Sequence, residues 1–265
     1  MPNALINGLA LHYEVSGPDD GRALLLSNSL ASDLHMWDAQ VDALHAAGFR
    51  VLRYDNRGHG RSAPPPGPLS IEQLADDVAA LLDHLGWDAV DYCGLSLGGM
   101  IGQMTARRHP GRLRSLVLAD TAAHMGPPAL WNDRIAAVEA GGMAAVVEAT
   151  LGRWFTAAAR AGTTHAAAIA AVRAAILATS PAGFCACSAA IRDMDQRADI
   201  AAITLPTLVV VGAEDPSTPV AAAELIHARI AGSRLVVLPD AAHLANIEQA
   251  AAFNAALLEF LAGLA

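Results

Sequence analysis

The chain has 265 residues, of which 54% are apolar and 16% charged, so it can form a large hydrophobic core and is too apolar for intrinsic disorder. The formal net charge of −9 disfavours nucleic acids and anionic membranes as partners. All 17 basic residues are arginine, and without lysine the chain cannot be a Schiff-base enzyme, a pyridoxal phosphate enzyme or a P-loop nucleotide hydrolase.

The pattern of apolar residues and cysteines predicts a cytoplasmic protein without a cofactor. No apolar run reaches transmembrane length, and the N-terminus lacks a basic region followed by an apolar core. Cys185 and Cys187 lie two residues apart in a predicted helix and face different sides, which disfavours a disulfide, and Cys93 ends a predicted buried strand. The ten histidines show no metal-ligand spacing, so we expect no metal.

The first 120 residues alternate between predicted strands and helices. Asn7-Gly8 between two short apolar runs predicts a β-hairpin. Further patterns predict strands over residues 23–26, 50–54, 89–93 and 113–119, and helices over residues 37–47, 71–85 and 100–109. Alternating strands and helices indicate an α/β fold, with a mostly parallel β-sheet covered by helices on both faces.

From residue 121 to residue 203 the pattern changes to alanine-rich helical segments. These predict helices over residues 129–140, 143–154, 165–178 and 181–194, with no convincing strand. Strands then resume at 207–212 and 235–238, and the pattern ends with a helix over 247–264. We therefore predict a core made of residues 1–120 and 204–265, with a helical cap over residues 121–203 inserted in it.

A G-x-S-x-G sequence, Gly94-Leu95-Ser96-Leu97-Gly98, stands between the strand predicted over 89–93 and the next helix. In this context it is typical of a nucleophile elbow, where glycines permit a sharp turn and the serine hydroxyl stays exposed. A plain glycine-rich turn is the alternative. We predict that Ser96 is a nucleophile.

A serine nucleophile needs a histidine base and an acid that orients it. Asp215 follows the strand over 207–212, and His243 follows the strand over 235–238, so both lie where open α/β sheets place their sites. Ser96, Asp215 and His243 also follow the chain order of the nucleophile-elbow enzymes. Glu214 and Asp240 are the alternative acids, with Glu214 expected to point the other way and Asp240 expected at the surface or as a secondary partner.

Several further segments resemble one family. Asp55-x-Arg57-Gly58-x-Gly60-x-Ser62 is similar to a loop of the α/β-hydrolase superfamily. Within it the chain most resembles the 3-oxoadipate enol-lactonases, through these segments: Leu26-Ser27-Asn28-Ser29-Leu30, Leu34-His35-Met36-Trp37, residues 94–103, Arg153-Trp154-Phe155-Thr156 and residues 242–248. Many members of the wider superfamily carry His-Gly where this chain has Asn28-Ser29, a departure that agrees with the lactonase subgroup.

The resemblance implies an α/β-hydrolase fold and a small anionic lactone substrate, 3-oxoadipate enol-lactone, in aromatic catabolism. It also implies an acyl-enzyme on Ser96, with the oxyanion bound by the backbone N–H groups of Leu97 and Leu30. The alternatives are a general carboxylesterase of small esters and, in a different class, a non-catalytic binding module of this fold. Ser96 disfavours a haloalkane dehalogenase, in which an aspartate would stand there. The oligomeric state is left open.

The substrate carboxylate would require a cation, which here must be arginine. Arg134 lies one helical turn from Trp131, so we predict that the two share a face that binds the lactone. Arg153, beside Trp154, is the second candidate, and Trp154 is predicted to contact the substrate. The alternative for Arg134 is an ion pair with Asp133 or Glu139 on a solvated helix.

Overall fold

The structure, a computed structural model, describes residues 3–264. Its centre is an eight-stranded sheet in the order β1-β2-β4-β3-β5-β6-β7-β8. The strands are β1 Asn3–Ile6, β2 Leu9–Ser16, β3 Arg22–Ser27, β4 Phe49–Tyr54, β5 Val90–Leu95, β6 Leu113–Ala119, β7 Thr207–Gly212 and β8 Arg234–Leu238. The pairs β1–β2 and β2–β4 are antiparallel, and all other neighbours are parallel, which confirms the predicted mostly parallel sheet.

Eleven α-helices lie in the described residues, together with three short 3₁₀ helices. The helices are α1 Asp38–Ala46, α2 Ile71–Leu85, α3 Leu97–Arg108, α4 Pro128–Gly141, α5 Val147–Trp154, α6 Ala157–Ala161, α7 Ala166–Ala178, α8 Pro181–Asp193, α9 Val220–Arg229, α10 Ala245–Glu248 and α11 Ala250–Ala262. No single helix in residues 3–264 is long and apolar enough to cross a membrane. Taken together, the bent pair α7 and α8 has the length and the apolar composition of a membrane span, and it meets these two criteria only.

The central strands are buried because helices cover both faces of the sheet. Every residue of β5 and β7 is buried, which explains why β7 is an almost continuous apolar run. In β5 the buried Asp91 is the exception, and it pairs with Arg22. Helix α2 is amphipathic and begins at a capping box, in which the Ser70 hydroxyl accepts from the Gln73 N–H and the Gln73 side chain accepts from the Ser70 N–H. Parallel order brings the carboxyl ends of β3 and β5–β8 to one edge of the sheet.

Helices α4 to α8 lie between β6 and β7 in the chain, which confirms that the insertion between these strands is helical. Apart from one isolated bridge, His124 to Asp195, residues 121–206 contain no β-structure. The predicted helix over 143–154 is a 3₁₀ turn followed by α5, and α6 was not predicted, because five residues are too few for a periodic signal.

Two predicted helix boundaries are wrong. Helix α3 begins at Leu97 rather than at residue 100, because Ser96 itself occupies the N-cap position. The single helix predicted over 247–264 is two helices, since Gln249 has φ −121° and ψ 47°, outside the helical region.

The polar loop after β4 is held in place by the buried side chains of Asp55 and Arg57. Asp55 accepts from the N–H groups of Leu34 (2.8 Å) and Arg61 (2.9 Å). Arg57 forms a two-point ion pair with Asp77 on α2, and both residues are buried. This loop therefore fixes the position of α2 against the edge of the sheet.

Because His59 in the same loop is buried, we expect the folded protein to lose stability at acidic pH. Its ring is fully buried, Nδ1 donates to the Arg57 carbonyl (2.9 Å), and burial lowers its pKa from 6.5 to about 4. The unfolded chain therefore binds the proton more readily, so stability is complete above pH 6.5 and falls as the pH drops towards 4. The expected loss is about 3 kcal/mol.

Urea unfolding of the parent protein and of His59→Asn between pH 7 and pH 4 measures this loss. Asparagine retains a donor for the Arg57 carbonyl but cannot be protonated in this range. We expect the difference in unfolding free energy between the two proteins to change across this window. A difference that stays constant with pH would contradict a buried neutral His59.

Candidate active site

Ser96 lies on a sharp turn between β5 and α3. Its backbone has φ 56° and ψ −114°, a conformation that costs free energy for a residue with a side chain. A Cβ atom at Gly98 would lie 2.1 Å from the Ser27 carbonyl oxygen, and one at Gly94 would lie 2.3 Å from the Gly98 carbonyl oxygen. Only glycine fits at both positions, so packing requires the two glycines of the motif.

Asp215 and His243 come together at the same edge of the sheet, in the loops after β7 and β8. His243 Nδ1 donates to Asp215 Oδ2 at 2.8 Å, and both residues are buried. This hydrogen bond fixes the neutral imidazole in the tautomer whose Nε2 is free to accept a proton. The ring of Trp154 lies beside that of His243, with the ring centres 6.1 Å apart.

The loop after β7 surrounds the Asp215 carboxylate with donors. Oδ1 accepts from the N–H groups of Ser217 (2.7 Å) and Thr218 (3.1 Å), and Oδ2 accepts from the Thr218 hydroxyl (2.6 Å). Burial alone would raise the pKa of Asp215, but His243 and the two Thr218 donors outweigh it and hold the pKa below its ordinary value. Thr218 was not predicted, although an aspartate followed by Pro-Ser-Thr is a recognisable turn signal.

Other carboxyl groups near this pair have different surroundings. Glu214 and Asp240 are exposed, and His243 makes its side-chain hydrogen bonds with Asp215 and Thr218. Asp120 follows β6 and is fully buried, with Oδ1 accepting from the Gly212 N–H (2.8 Å). Burial and the charge of Asp215 raise the pKa of Asp120 well above its ordinary value, so Asp215 is the ionised carboxylate beside His243.

A cavity of about 240 Å³ lies above Ser96 and His243, which both line it. The helical insertion supplies much of the remaining wall. Of the five residues predicted to bind the oxyanion or the substrate, four line the cavity: Leu30, Trp131, Arg134 and Trp154. Leu97 does not, whereas Arg153, the second candidate cation, does. The cavity is small and suits a compact ligand.

Two arginines face this cavity without acidic partners. The guanidinium of Arg134 lies over the ring of Trp131, 4.6 Å from its centre. Burial lowers the pKa of Arg134, and burial together with the charge of Arg134 lowers the pKa of Arg153 to about 10. In residues 3–264 neither guanidinium forms an ion pair, so the predicted alternative pairing of Arg134 with Asp133 or Glu139 is absent there.

The two backbone groups predicted to bind an oxyanion flank Ser96. Leu97 is the first residue of α3, so its N–H belongs to the helix turn that has no intrahelical acceptor. Leu30 lies in the loop after β3, and its N–H donates to no residue of the described chain. Both groups are therefore available to a ligand.

Glu248 joins the helical insertion to the His243 loop. One carboxylate oxygen accepts from the N–H and the hydroxyl of Thr156 (both 2.9 Å), and the other accepts from the Ala242 N–H (2.7 Å). In addition, the Leu244 N–H donates to the Trp154 carbonyl at 3.1 Å. These bonds hold the segment after α5 against the residues on either side of His243, a role that the sequence did not indicate.

A doubly covered parallel sheet, a serine on a strained strand–helix turn and an Asp–His pair beyond later strands together define the α/β-hydrolase class. Residues 22–250 match the family model described as the alpha/beta hydrolase fold, and the chain therefore belongs to this family.

Similar proteins of known sequence and structure cover nearly the whole chain. The 3-oxoadipate enol-lactonase 2 of Acinetobacter baylyi is 37% identical over 94% of this chain and 92% of its own length. The crystal structure of the enol-lactonase from Burkholderia xenovorans is 40% identical, with a TM-score of 0.95 over 98% of this chain and 100% of that chain. An esterase from Thermogutta terrifontis, solved with malate bound, is 31% identical, with a TM-score of 0.92 over 99% and 98%.

Proposed function

We propose that the protein is a serine hydrolase that opens 3-oxoadipate enol-lactone to 3-oxoadipate, a step of the β-ketoadipate pathway of aromatic catabolism. The observation that carries the proposal is the hydrogen bond from His243 to Asp215, with His243 and Ser96 lining the same cavity. The names of the similar enol-lactonases support the choice of substrate.

In the proposed reaction, His243 Nε2 takes the hydroxyl proton of Ser96 as Oγ attacks the lactone carbonyl carbon. The backbone N–H groups of Leu97 and Leu30 bind the oxyanion, and Asp215 stabilises the imidazolium. The ring C–O bond breaks, the imidazolium returns the proton to the leaving enolate, and the resulting enol becomes a ketone. Water, deprotonated by His243, then attacks the acyl-enzyme, and the proton returns to Ser96 as the free acid leaves.

The paired arginines support an anionic substrate. Two half-buried guanidinium groups without a carboxylate partner are costly, because the contacts of Arg134 with the Trp131 ring and of Arg153 with the Thr150 hydroxyl (3.3 Å) do not neutralise their charges. A ligand carboxylate would offset this cost with charge-assisted hydrogen bonds. Trp131, Arg134, Arg153 and Trp154 all come from residues 121–203, so we also propose that this cap sets specificity while the core carries the chemistry.

Arg134→Ala is expected to raise the KM for the enol-lactone by roughly 10- to 150-fold, the equivalent of about 1.5–3 kcal/mol for a charge-assisted hydrogen bond. Hydrolysis of a neutral aryl ester should change little, because it has no anion to bind. Steady-state kinetics on both substrates measure the difference. Arg173→Ala is the matched control, since Arg173 is a cap arginine that pairs with Glu148 outside the cavity. Equal losses on both substrates would mean that Arg134 only supports the cap.

A hydrolysis screen and covalent labelling test the proposal as a whole. We expect the enol-lactone to exceed simple alkyl and aryl esters in kcat/KM, and a serine-directed phosphonate to label Ser96. A general carboxylesterase is the second candidate, favoured by the similarity to the Thermogutta esterase, and would prefer the simple esters. If no ester is hydrolysed and Ser96 is not labelled, the remaining candidate function is the non-catalytic binding module.

A further inference from the structure

Ser29 lines the cavity, and its buried hydroxyl has no hydrogen-bond partner in the described chain. Ser29 is 1% exposed, its hydroxyl has no donor or acceptor partner in residues 3–264, and the residue lines the cavity with Ser96 and His243. A buried hydroxyl that makes no hydrogen bond destabilises the fold. The hydroxyl oxygen is almost inaccessible to solvent, so only a ligand packed directly against Ser29 would supply its missing partner.

The backbone of Ser29, in contrast, is fully used. Its N–H donates to the sulfur of Met36 (3.3 Å), and its carbonyl accepts from the Ser32 hydroxyl (2.8 Å). The preceding Asn28 is also fixed, because its side chain donates to the Tyr54 carbonyl and accepts from the indole of Trp37. The loop therefore holds the backbone of Ser29 in place, while its side chain makes no hydrogen bond.

Covalent geometry places the hydroxyl close to the Leu30 N–H. Oγ is joined to the Leu30 nitrogen only through Cβ, Cα and the carbonyl carbon of Ser29, so the two atoms lie within a few ångströms of each other. The Leu30 N–H also lacks an acceptor in the described chain. A side-chain rotamer that turns Oγ towards this N–H would bring the hydroxyl close to an oxygen atom that the N–H binds.

We propose that the Ser29 hydroxyl is a third donor of the oxyanion hole, acting with the Leu30 and Leu97 N–H groups on the carbonyl oxygen of an ester or lactone. The inference rests on the proposed serine hydrolase function. The hydroxyl binds the oxyanion more strongly than the neutral carbonyl, because hydrogen bonds to a charged acceptor are shorter and stronger. It thereby contributes to the transition state more than to substrate binding.

Ser29→Ala is expected to lower kcat by on the order of 10²-fold on both the enol-lactone and a neutral aryl ester, with little change in KM. The melting temperature should stay the same or rise, since alanine removes an unpaired buried hydroxyl. Ser29→Thr keeps the hydroxyl and should recover much of the lost kcat. Ser32→Ala is the matched control: its hydroxyl is already used by Ser29 and Met36, so we expect a lower melting temperature and a smaller loss of kcat.

The rate at which a phosphonate labels Ser96 separates this inference from the proposed function. The phosphonyl oxygen occupies the oxyanion position, so Ser29→Ala should slow the labelling while Ser96 remains the labelled residue. If Ser96 is labelled equally fast in both proteins, the third donor is overturned and the serine mechanism stands. An effect on the anionic lactone alone, or a loss of kcat that accompanies a lower melting temperature, would also overturn it. No labelling of the parent protein would overturn the proposed function itself.

Discussion

Ser96→Ala is expected to lower kcat by about 10⁴- to 10⁶-fold, and His243→Ala should have a similarly large effect. Without the serine hydroxyl there is no nucleophile, and without the imidazole nothing accepts its proton. Because the two side chains act in one step, the double variant should be little worse than either single variant. The residual rate would come from the oxyanion hole and from substrate binding.

Single-turnover and steady-state rates of the two single variants and the double variant measure this non-additivity. An exposed Ser–His pair elsewhere in the chain provides a matched control, because His227 Nδ1 and the Ser233 hydroxyl are 2.9 Å apart at the surface. Ser233→Ala combined with His227→Ala should leave kcat unchanged. If the free-energy losses at Ser96 and His243 simply add, the two residues do not belong to one mechanism.

Asp215→Asn is expected to reduce kcat by about 10⁴-fold with little change in the fold. The asparagine amide fills the same volume, but it cannot stabilise an imidazolium, and its NH₂ group favours the wrong tautomer of His243. The Thr218 hydroxyl, 3.4 Å from His243 Nδ1, is too distant and uncharged to replace the carboxylate.

Glu214→Gln and Asp240→Asn are the corresponding controls, since both are exposed carboxylates close to Asp215 or His243 in the sequence. We expect parent-like kcat for both variants, as measured at the pH of maximal activity. If Asp240→Asn instead reproduced the loss, the acid would have been assigned to the wrong loop.

The strand–helix alternation and the G-x-S-x-G turn were readable from the sequence because they depend on local chemistry. Strand β6 and helix α2 have the predicted bounds, since a buried strand and an amphipathic helix each leave a clear periodic signal. The positions of Ser96, Asp215 and His243 after strands followed from the same signals together with the rule that sites lie at the carboxyl edge. Their catalytic roles stay predictions.

The helical insertion was predicted less well for a physical reason. Alanine-rich helices have weak apolar faces, so their periodicity marks the helical state but not the breaks between helices or the side that is buried. The start of the short α6 is set by a contact with the core, because Glu248 binds Thr156, the N-cap residue of this helix. Such contacts join residues far apart in sequence, and no local pattern reports them.

By itself the sequence determined the α/β architecture, the turn at Ser96 and the need for arginine to bind any anionic substrate, because these follow from residue type and short-range periodicity. Only the tertiary structure decided that Arg134 and Arg153 share one cavity without acidic partners. It also decided that the hydroxyl of Ser29, which lines the same cavity, is left unpaired. The reason is that desolvation and hydrogen-bond satisfaction are properties of the completed packing. A side chain acquires them from residues that are distant in the chain.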